Sequence, residues 1–228
     1  MRLRLFALTG LLAFLAGSAV GADAIAPGRV FDLKAWKLQV PGPIEVKDLR
    51  DYSSAYFFLN ESKEMVFSLD AAEKGTTPNT HYVRSELRHL PNWKVNENHS
   101  LSGEVRVVSH LEPDKLTVLQ IHGITPDGDN APPLLRIAIN RGNLYAAVKA
   151  ENSGDKTEMV LLKSGVKSSY VKVAITVKDS QLHISVDGEE KLLRDLSYWT
   201  FANYFKAGLY PQATKGTAQV FFRDLKAE

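Results

Sequence analysis

The sequence predicts an all-β fold, a two-sheet antiparallel β-sandwich of jelly-roll type, and three observations carry that prediction. Short runs rich in Val, Ile, Tyr and Phe dominate residues 25–228 and alternate in polarity, the period-two pattern of strands with one buried face. Gly, Pro, Asn and Asp punctuate these runs, supplying turns at intervals too short for crossover helices. Only residues 192–203 read as even briefly helical, so a βαβ architecture is excluded.

Taken in order, the expected strands are 55–59, 65–69, 82–87, 103–109, 116–122, 134–139, 144–149, 158–162, 170–177, 181–186, 205–210 and 218–225. Arg141-Gly142-Asn143 and Asp187-Gly188 fall where hairpin turns are needed, because Gly and Asn tolerate the positive φ of such turns. Roughly a dozen strands in one domain imply two stacked sheets. A sandwich of this kind offers a concave sheet face on which a long polymer can lie.

Residues 1–24 are set apart from this pattern. Arg2 and Arg4 precede a mostly apolar run from Leu5 to Leu15, and mainly small residues follow it, which is the pattern of a secretory signal peptide. The run is shorter than the about 20 apolar residues a membrane span needs. Cleavage after Gly21 or after Ala24 fits the small-x-small rule equally. The expected product is one domain, 25–228, that is monomeric, free of the membrane, and periplasmic or extracellular.

Removal of residues 1–24 takes away Arg2, Arg4 and Asp23 and leaves 26 basic and 25 acidic groups in 204 residues. A near-neutral balance argues against nucleic acid as a partner, since polyphosphate binding shows as a strong basic excess. Affinity for an anionic polymer must then come from a local cluster of cations. The chain has no cysteine, and a domain of this size buries roughly 70% of its unfolded surface without a disulfide staple. Neither HExxH nor a calcium-loop spacing occurs, so no metal is expected.

Three segments carry the chemistry. In a strand, residues i, i+2 and i+4 share a face, so RSELR at 84–88 sets Arg84, Glu86 and Arg88 on one side and Ser85 and Leu87 on the other. Two guanidiniums held around a carboxylate form a cationic array suited to bidentate carboxylate recognition, although an exposed strand face cross-linked by its own charges would read alike. LQIH at 119–122 puts Gln120 and His122 together while Leu119 and Ile121 face the core. Gln donates hydrogen bonds and His exchanges a proton near neutral pH. In YFKAGLYPQ at 204–212, Tyr204, Lys206, Gly208, Tyr210 and Gln212 share a face, and Gly208 is expected to leave room there for a close approach.

RSELR, QIH and YFKAGLYPQ, in this order and at these separations, resemble the three signature strands of polysaccharide lyase family 7, the alginate lyases. WKLQVPGP at 36–43 and GTT at 75–77 resemble that family's N-terminal region, so the likeness spans nearly the whole mature chain. It implies a concanavalin-like sandwich and cleavage of a 1,4-linked polyuronate. Two departures stand out: His89 follows RSELR where an acidic residue is common, and Pro211 replaces a common Asn. Both bear on the expected subsite contacts.

Alginate is cleaved by removing the proton at C5, next to the carboxylate, and expelling the O4 substituent. The developing dianionic enolate needs donors, and Arg84 and Gln120 match that role by chemistry and by resemblance. His122 is the expected base for guluronate and Tyr210 the expected acid for O4. For mannuronate, where H5 and O4 lie on the same side, Tyr210 serves as base and acid in turn. Arg88, Lys206 and Gln212 are expected to bind neighbouring carboxylates or hydroxyls, Glu86 to orient the arginines, and Tyr204 to stack on a sugar. No cofactor is required for this chemistry. By resemblance, Ile121 within QIH, rather than Val, leans the specificity toward guluronate-containing blocks, and cleavage within the chain is expected.

Two other classes fit less well. A glycoside hydrolase needs two carboxylates across the scissile bond, yet the nearest acidic cluster, Asp187-Gly188-Glu189-Glu190, reads as a solvated hairpin turn. A non-catalytic module for acidic polysaccharide would use the same cations and aromatics but has no need of His122 and Tyr210 beside Gln120.

Overall fold

The computed structural model of the protein describes residues 25–42, 44–75, 82–153 and 155–228. The expected signal peptide, 1–24, and Thr76 and Thr77 of the GTT motif lie outside these residues. Apart from a 3-10 turn at Pro27–Arg29, the regular elements among them are strands: β1 (Trp36–Val40), β2 (Ile44–Val46), β3 (Phe57–Leu59), β4 (Met65–Asp70), β5 (Ser85–His89), β6 (His99–Ser109), β7 (Lys115–Ile124), β8 (Asn130–Asn140), β9 (Asn143–Lys149), β10 (Thr157–Lys163), β11 (Val171–Lys178), β12 (Gln181–Val186), β13 (Glu189–Asp195), β14 (Ala202–Pro211) and β15 (Thr217–Ala227).

Two sheets form, both antiparallel throughout. The first runs β10-β9-β8-β7-β14-β5-β1-β2 and the second β13-β12-β11-β6-β15-β4-β3. Alternation explains the core between them: Leu87, Leu119, Ile121, Phe205 and Leu209 face inward from the first sheet and meet Phe67, Leu101, Val105, Val173 and Phe222 from the second. The residues flanking the first set therefore point outward from the first sheet. Both expected hairpins form, with Arg141 and Gly142 at φ 50° and 71° and Asp187 and Gly188 at 54° and 87°.

Expectation and structure part at several elements. Strands β1, β2 and β13 were not anticipated as strands, and the expected strand 82–87 begins only at Ser85. The helical reading of 192–203 is wrong: Glu189–Asp195 pairs with β12, and β14 starts at Ala202. Leu192 packs on the core while Leu193 is exposed, which is strand alternation. The Asp187-Gly188 turn folds this segment onto the free edge of β12, and pairing there outweighs weak local propensity.

Order in the first sheet positions the site. Strand β14 lies between β7 and β5, so Tyr204 sits opposite His122, and Lys206 sits opposite Gln120 on one side and Arg88 on the other. All three motif strands are thus neighbours, with their polar residues on the outer face.

Candidate active site

Glu86 is the buried centre of this face. It is 1% exposed, forms an ion pair with Lys206, lies 3.5 Å from Arg84 Nη1, and accepts a hydrogen bond from Gln120 Nε2. Burial pushes its carboxyl up, but the charges of Lys206 and Arg84 and the hydrogen bonds from Lys206 and Gln120 outweigh burial and hold it below its ordinary value. Lys206, 2% exposed, is pushed down to about 8 by burial against the opposing pull of Glu86. An ionised carboxylate only accepts, so the amide nitrogen of Gln120 must face Glu86. One N–H and the carbonyl oxygen of Gln120 remain for a ligand.

His122 Nδ1 lies 3.1 Å from the carbonyl oxygen of Gly123. A carbonyl cannot donate, so Nδ1 carries the proton and Nε2 keeps its lone pair. Burial first, and the charge of Lys206 second, push the imidazole down to about 4, leaving a neutral base at neutral pH. The ring stacks on Tyr204 at 5.2 Å and 20°, and the Arg88 guanidinium lies 4.2 Å from the same Tyr204 ring. Burial pushes the Tyr204 phenol up to about 12, partly offset by Arg88.

Tyr210 sits on the far side of Gln120 from His122, opposite Thr117. Arg84 stands 4.6 Å above its ring, and Tyr82 meets it edge-on at 6.2 Å. Burial raises its pKa while Arg84 pulls it back only in part, so the hydroxyl stays protonated and able to donate. Gln212, at the end of the motif, uses both ends of its amide internally: Oε1 accepts from Thr117 at 3.3 Å and Nε2 donates to the Tyr210 carbonyl at 2.7 Å.

The close approach expected at Gly208 is made by the neighbouring strand. Its φ is 142°, and a Cβ there would lie 2.7 Å from the Ser85 carbonyl and 2.9 Å from Glu86 Cα. The space is filled by the backbone of β5, not by a ligand, and the register of β14 on β7 shifts between Ala207 and Tyr210. This bulge carries the chain past one extra residue and keeps Tyr210 on the outer face. The two departures from the family pattern also fall away from the groove. His89 packs at 4.7 Å from Trp36 on the core side, and Pro211 is buried opposite Leu116, so neither alters a subsite contact.

Arg84, Gln120, His122, Tyr204, Lys206 and Tyr210 line one groove of about 620 Å³. Glu86 lies beneath that lining, bound to Gln120 and Lys206, and Arg88 and Gln212 stand outside it. Motif reading missed Arg136 on β8, which lines the groove, lies opposite Gln120, and has no hydrogen-bond or ion-pair partner among the described residues. Its signal was a single arginine alternating with Leu135 and Ile137 in an otherwise apolar run. Gln39 on β1, opposite Glu86, also lines the groove and was missed.

Comparisons with known proteins give the family. The sequence profile of the alginate lyase family matches residues 31–228. An alginate lyase of Photobacterium sp. (strain ATCC 43367) is 24% identical over 245 residues, spanning 85% of this chain and 83% of that protein. The family 7 alginate lyase A1-II', in a variant solved with the product GGG, superposes with a TM-score of 0.85 at 30% identity over 90% of this chain and 99% of its own. The alginate lyase PA1167 from Pseudomonas aeruginosa gives a TM-score of 0.78 at 25% identity, covering 86% and 99%. The chain belongs to the alginate lyases of polysaccharide lyase family 7.

Proposed function

We propose that this alginate lyase breaks the 1,4 bond by β-elimination, with His122 and Tyr210 moving the protons. One observation carries the reading: a neutral imidazole with a free Nε2 and a protonated phenol line the same groove on either side of Gln120 and Lys206. A uronate carboxylate placed over Gln120 meets its remaining N–H together with the Arg84 guanidinium. These donors spread the charge that grows as the C5 proton leaves. His122 Nε2 takes that proton, and the Tyr210 hydroxyl protonates O4 as its bond breaks.

Base and acid on opposite sides of the carboxylate suit guluronate, in which H5 and O4 lie on opposite sides of the ring. The preference is therefore for guluronate-containing blocks. Cleavage within the chain fits a groove laid across the sheet, and Arg136 extends its cationic lining beyond Gln120. The leader-like residues 1–24 support export to the periplasm or beyond.

Variant kinetics on defined blocks test the division of labour. His122→Ala lowers guluronate turnover by about 10²–10⁴-fold, the range of general-base catalysis. Tyr210→Phe abolishes cleavage of both uronates. If His122→Ala still cleaves guluronate blocks at the wild-type rate, His122 is not the base.

A further inference from the structure

Beside the base stands a stack that the reaction scheme does not use. Tyr204 lies opposite His122 in register, their rings 5.2 Å apart and 20° from parallel. From the other neighbouring strand, Arg88 sets its guanidinium 4.2 Å from the same ring. Because β14 runs between β7 and β5, imidazole and guanidinium approach the phenol from opposite sides. Tyr204 is 6% exposed, and no open ring face is left on which a sugar could stack.

Arg88 itself is anchored within the protein. Nη1 donates to the carbonyls of His89 and Leu90, both at 3.0 Å, and Nη2 donates to Asn92 Oδ1 at 2.9 Å. The cations that line the groove are Arg84, Arg136 and Lys206, and Arg88 is not among them. A planar fork tied to two backbone carbonyls and an amide is a fixed platform, whereas a subsite cation needs its donors free.

We propose that Arg88 is a positioning residue which, through Tyr204, holds the His122 ring in the orientation from which Nε2 meets the C5 proton. The inference rests on His122 being the base. Among the described residues His122 has a single hydrogen bond, from Nδ1 to the Gly123 carbonyl. That bond sets the tautomer and one point of the ring, and leaves the ring free to tilt about it. Packing of the ring face against Tyr204 removes the tilt, and Arg88 stops Tyr204 from yielding. A displacement of about 1 Å in a catalytic group can cost 10²-fold, so loss of the stack appears in turnover rather than in binding.

Steady-state kinetics of Arg88→Ala, Arg88→Lys, Tyr204→Phe and Tyr204→Leu on guluronate-rich alginate, with melting temperatures to establish folding, decide the matter. Both Arg88 variants are expected to lose roughly 10- to 100-fold in kcat, with KM and its salt dependence within about twofold of wild type. Arg88→Lys fails like Arg88→Ala because an ammonium keeps the charge but not the planar fork. Tyr204→Phe, which keeps the ring, loses less kcat than Tyr204→Leu. A raised KM with kcat preserved, or near-complete rescue by Arg88→Lys, makes Arg88 a substrate-binding charge and overturns the proposal. Should Arg88→Ala not fold, Arg88→Lys and the Tyr204 pair carry the same comparison. Wild-type turnover tests the lyase reading separately. If that reading fails, NMR of the His122 ring still judges the stack: broadened or multiple signals in Arg88→Lys support it, and a spectrum identical to wild type overturns it.

Discussion

Replacing Glu86 by Gln keeps the shape of the side chain and removes one charge from the most buried part of the site. Its carboxylate, 1% exposed, faces Lys206, 2% exposed, and accepts from Gln120. Breaking a buried ion pair by deleting one partner costs about 3–5 kcal/mol, because the other charge is left without compensation. Lys206 has a partial escape. Burial already pushes it down to about 8, and Glu86 supplies the leading opposing pull, so loss of Glu86 lowers it further and favours the neutral amine. A neutral amine no longer carries an uncompensated buried charge, which keeps the net loss toward the lower end of that range, about 2–4 kcal/mol. For a domain of this size each kcal/mol moves the melting temperature by about 2–4 °C, so a fall of roughly 5–15 °C is expected. Two kinetic signs accompany it. A single amide oxygen at position 86 cannot stand in for the two carboxylate oxygens that meet Gln120 and Lys206, so the Gln120 amide is less firmly oriented and kcat falls by about 10²-fold. As Lys206 loses its charge, His122 loses that repulsion, moving the acid limb of the kcat profile to higher pH. Circular-dichroism melts and kcat measured across pH read all of these. A Glu86→Gln variant that melts within a degree of wild type and keeps its pH profile refutes the claim that Glu86 organises the floor.

Two further outcomes follow from particular residues. Stability falls on acidification between about pH 6.5 and 4: burial, together with the charges of His99 and Arg88, pushes His89 down to about 4, and its Nδ1 has no partner. The unfolded chain takes up protons that the folded one refuses, a difference worth up to about 3 kcal/mol per group. His89→Phe should flatten part of this dependence in urea titrations, and an unchanged slope would assign the loss elsewhere. Arg136→Ala should raise KM about fivefold to tenfold and weaken its salt dependence, since an unpaired guanidinium in a near-neutral protein meets the polyanion through a screened charge. Equal KM values at low and high salt for wild type and variant would remove Arg136 from the groove.

What the sequence made legible was set by the strict period of two. Once 119–122 and 204–210 are strands, the side of the sheet taken by Gln120, His122, Tyr204, Lys206 and Tyr210 follows from core residues such as Leu119, Ile121 and Phe205. Depth and company do not follow from it. Alternation put Glu86 and Arg88 on one outer face, but neighbouring strands made Glu86 a buried counter-ion, and the local turn after β5 tied the Arg88 fork to the His89 and Leu90 carbonyls and the Asn92 amide. Gly208 announced a close approach without saying of what, and the answer was the Ser85 carbonyl. Arg136 belongs to no motif, and its place in the groove arises from the pairing of β8 with β7. Strand β13 opens on Glu189-Glu190-Lys191, residues of weak strand propensity, and only its pairing with β12 turns Leu192 inward and Leu193 outward.

The measurement that bears most directly on the central claim is the ultraviolet absorbance of the conjugated double bond that elimination leaves at the new chain end. Folded wild-type protein is incubated separately with guluronate-rich, mannuronate-rich and alternating alginate. Absorbance is expected to rise with time, fastest on guluronate-containing blocks, and Tyr210→Phe to produce no rise. Absence of any rise on all three polymers, from protein shown to be folded, would contradict the elimination, and a clear preference for pure mannuronate blocks would contradict the assignment of His122 as the base.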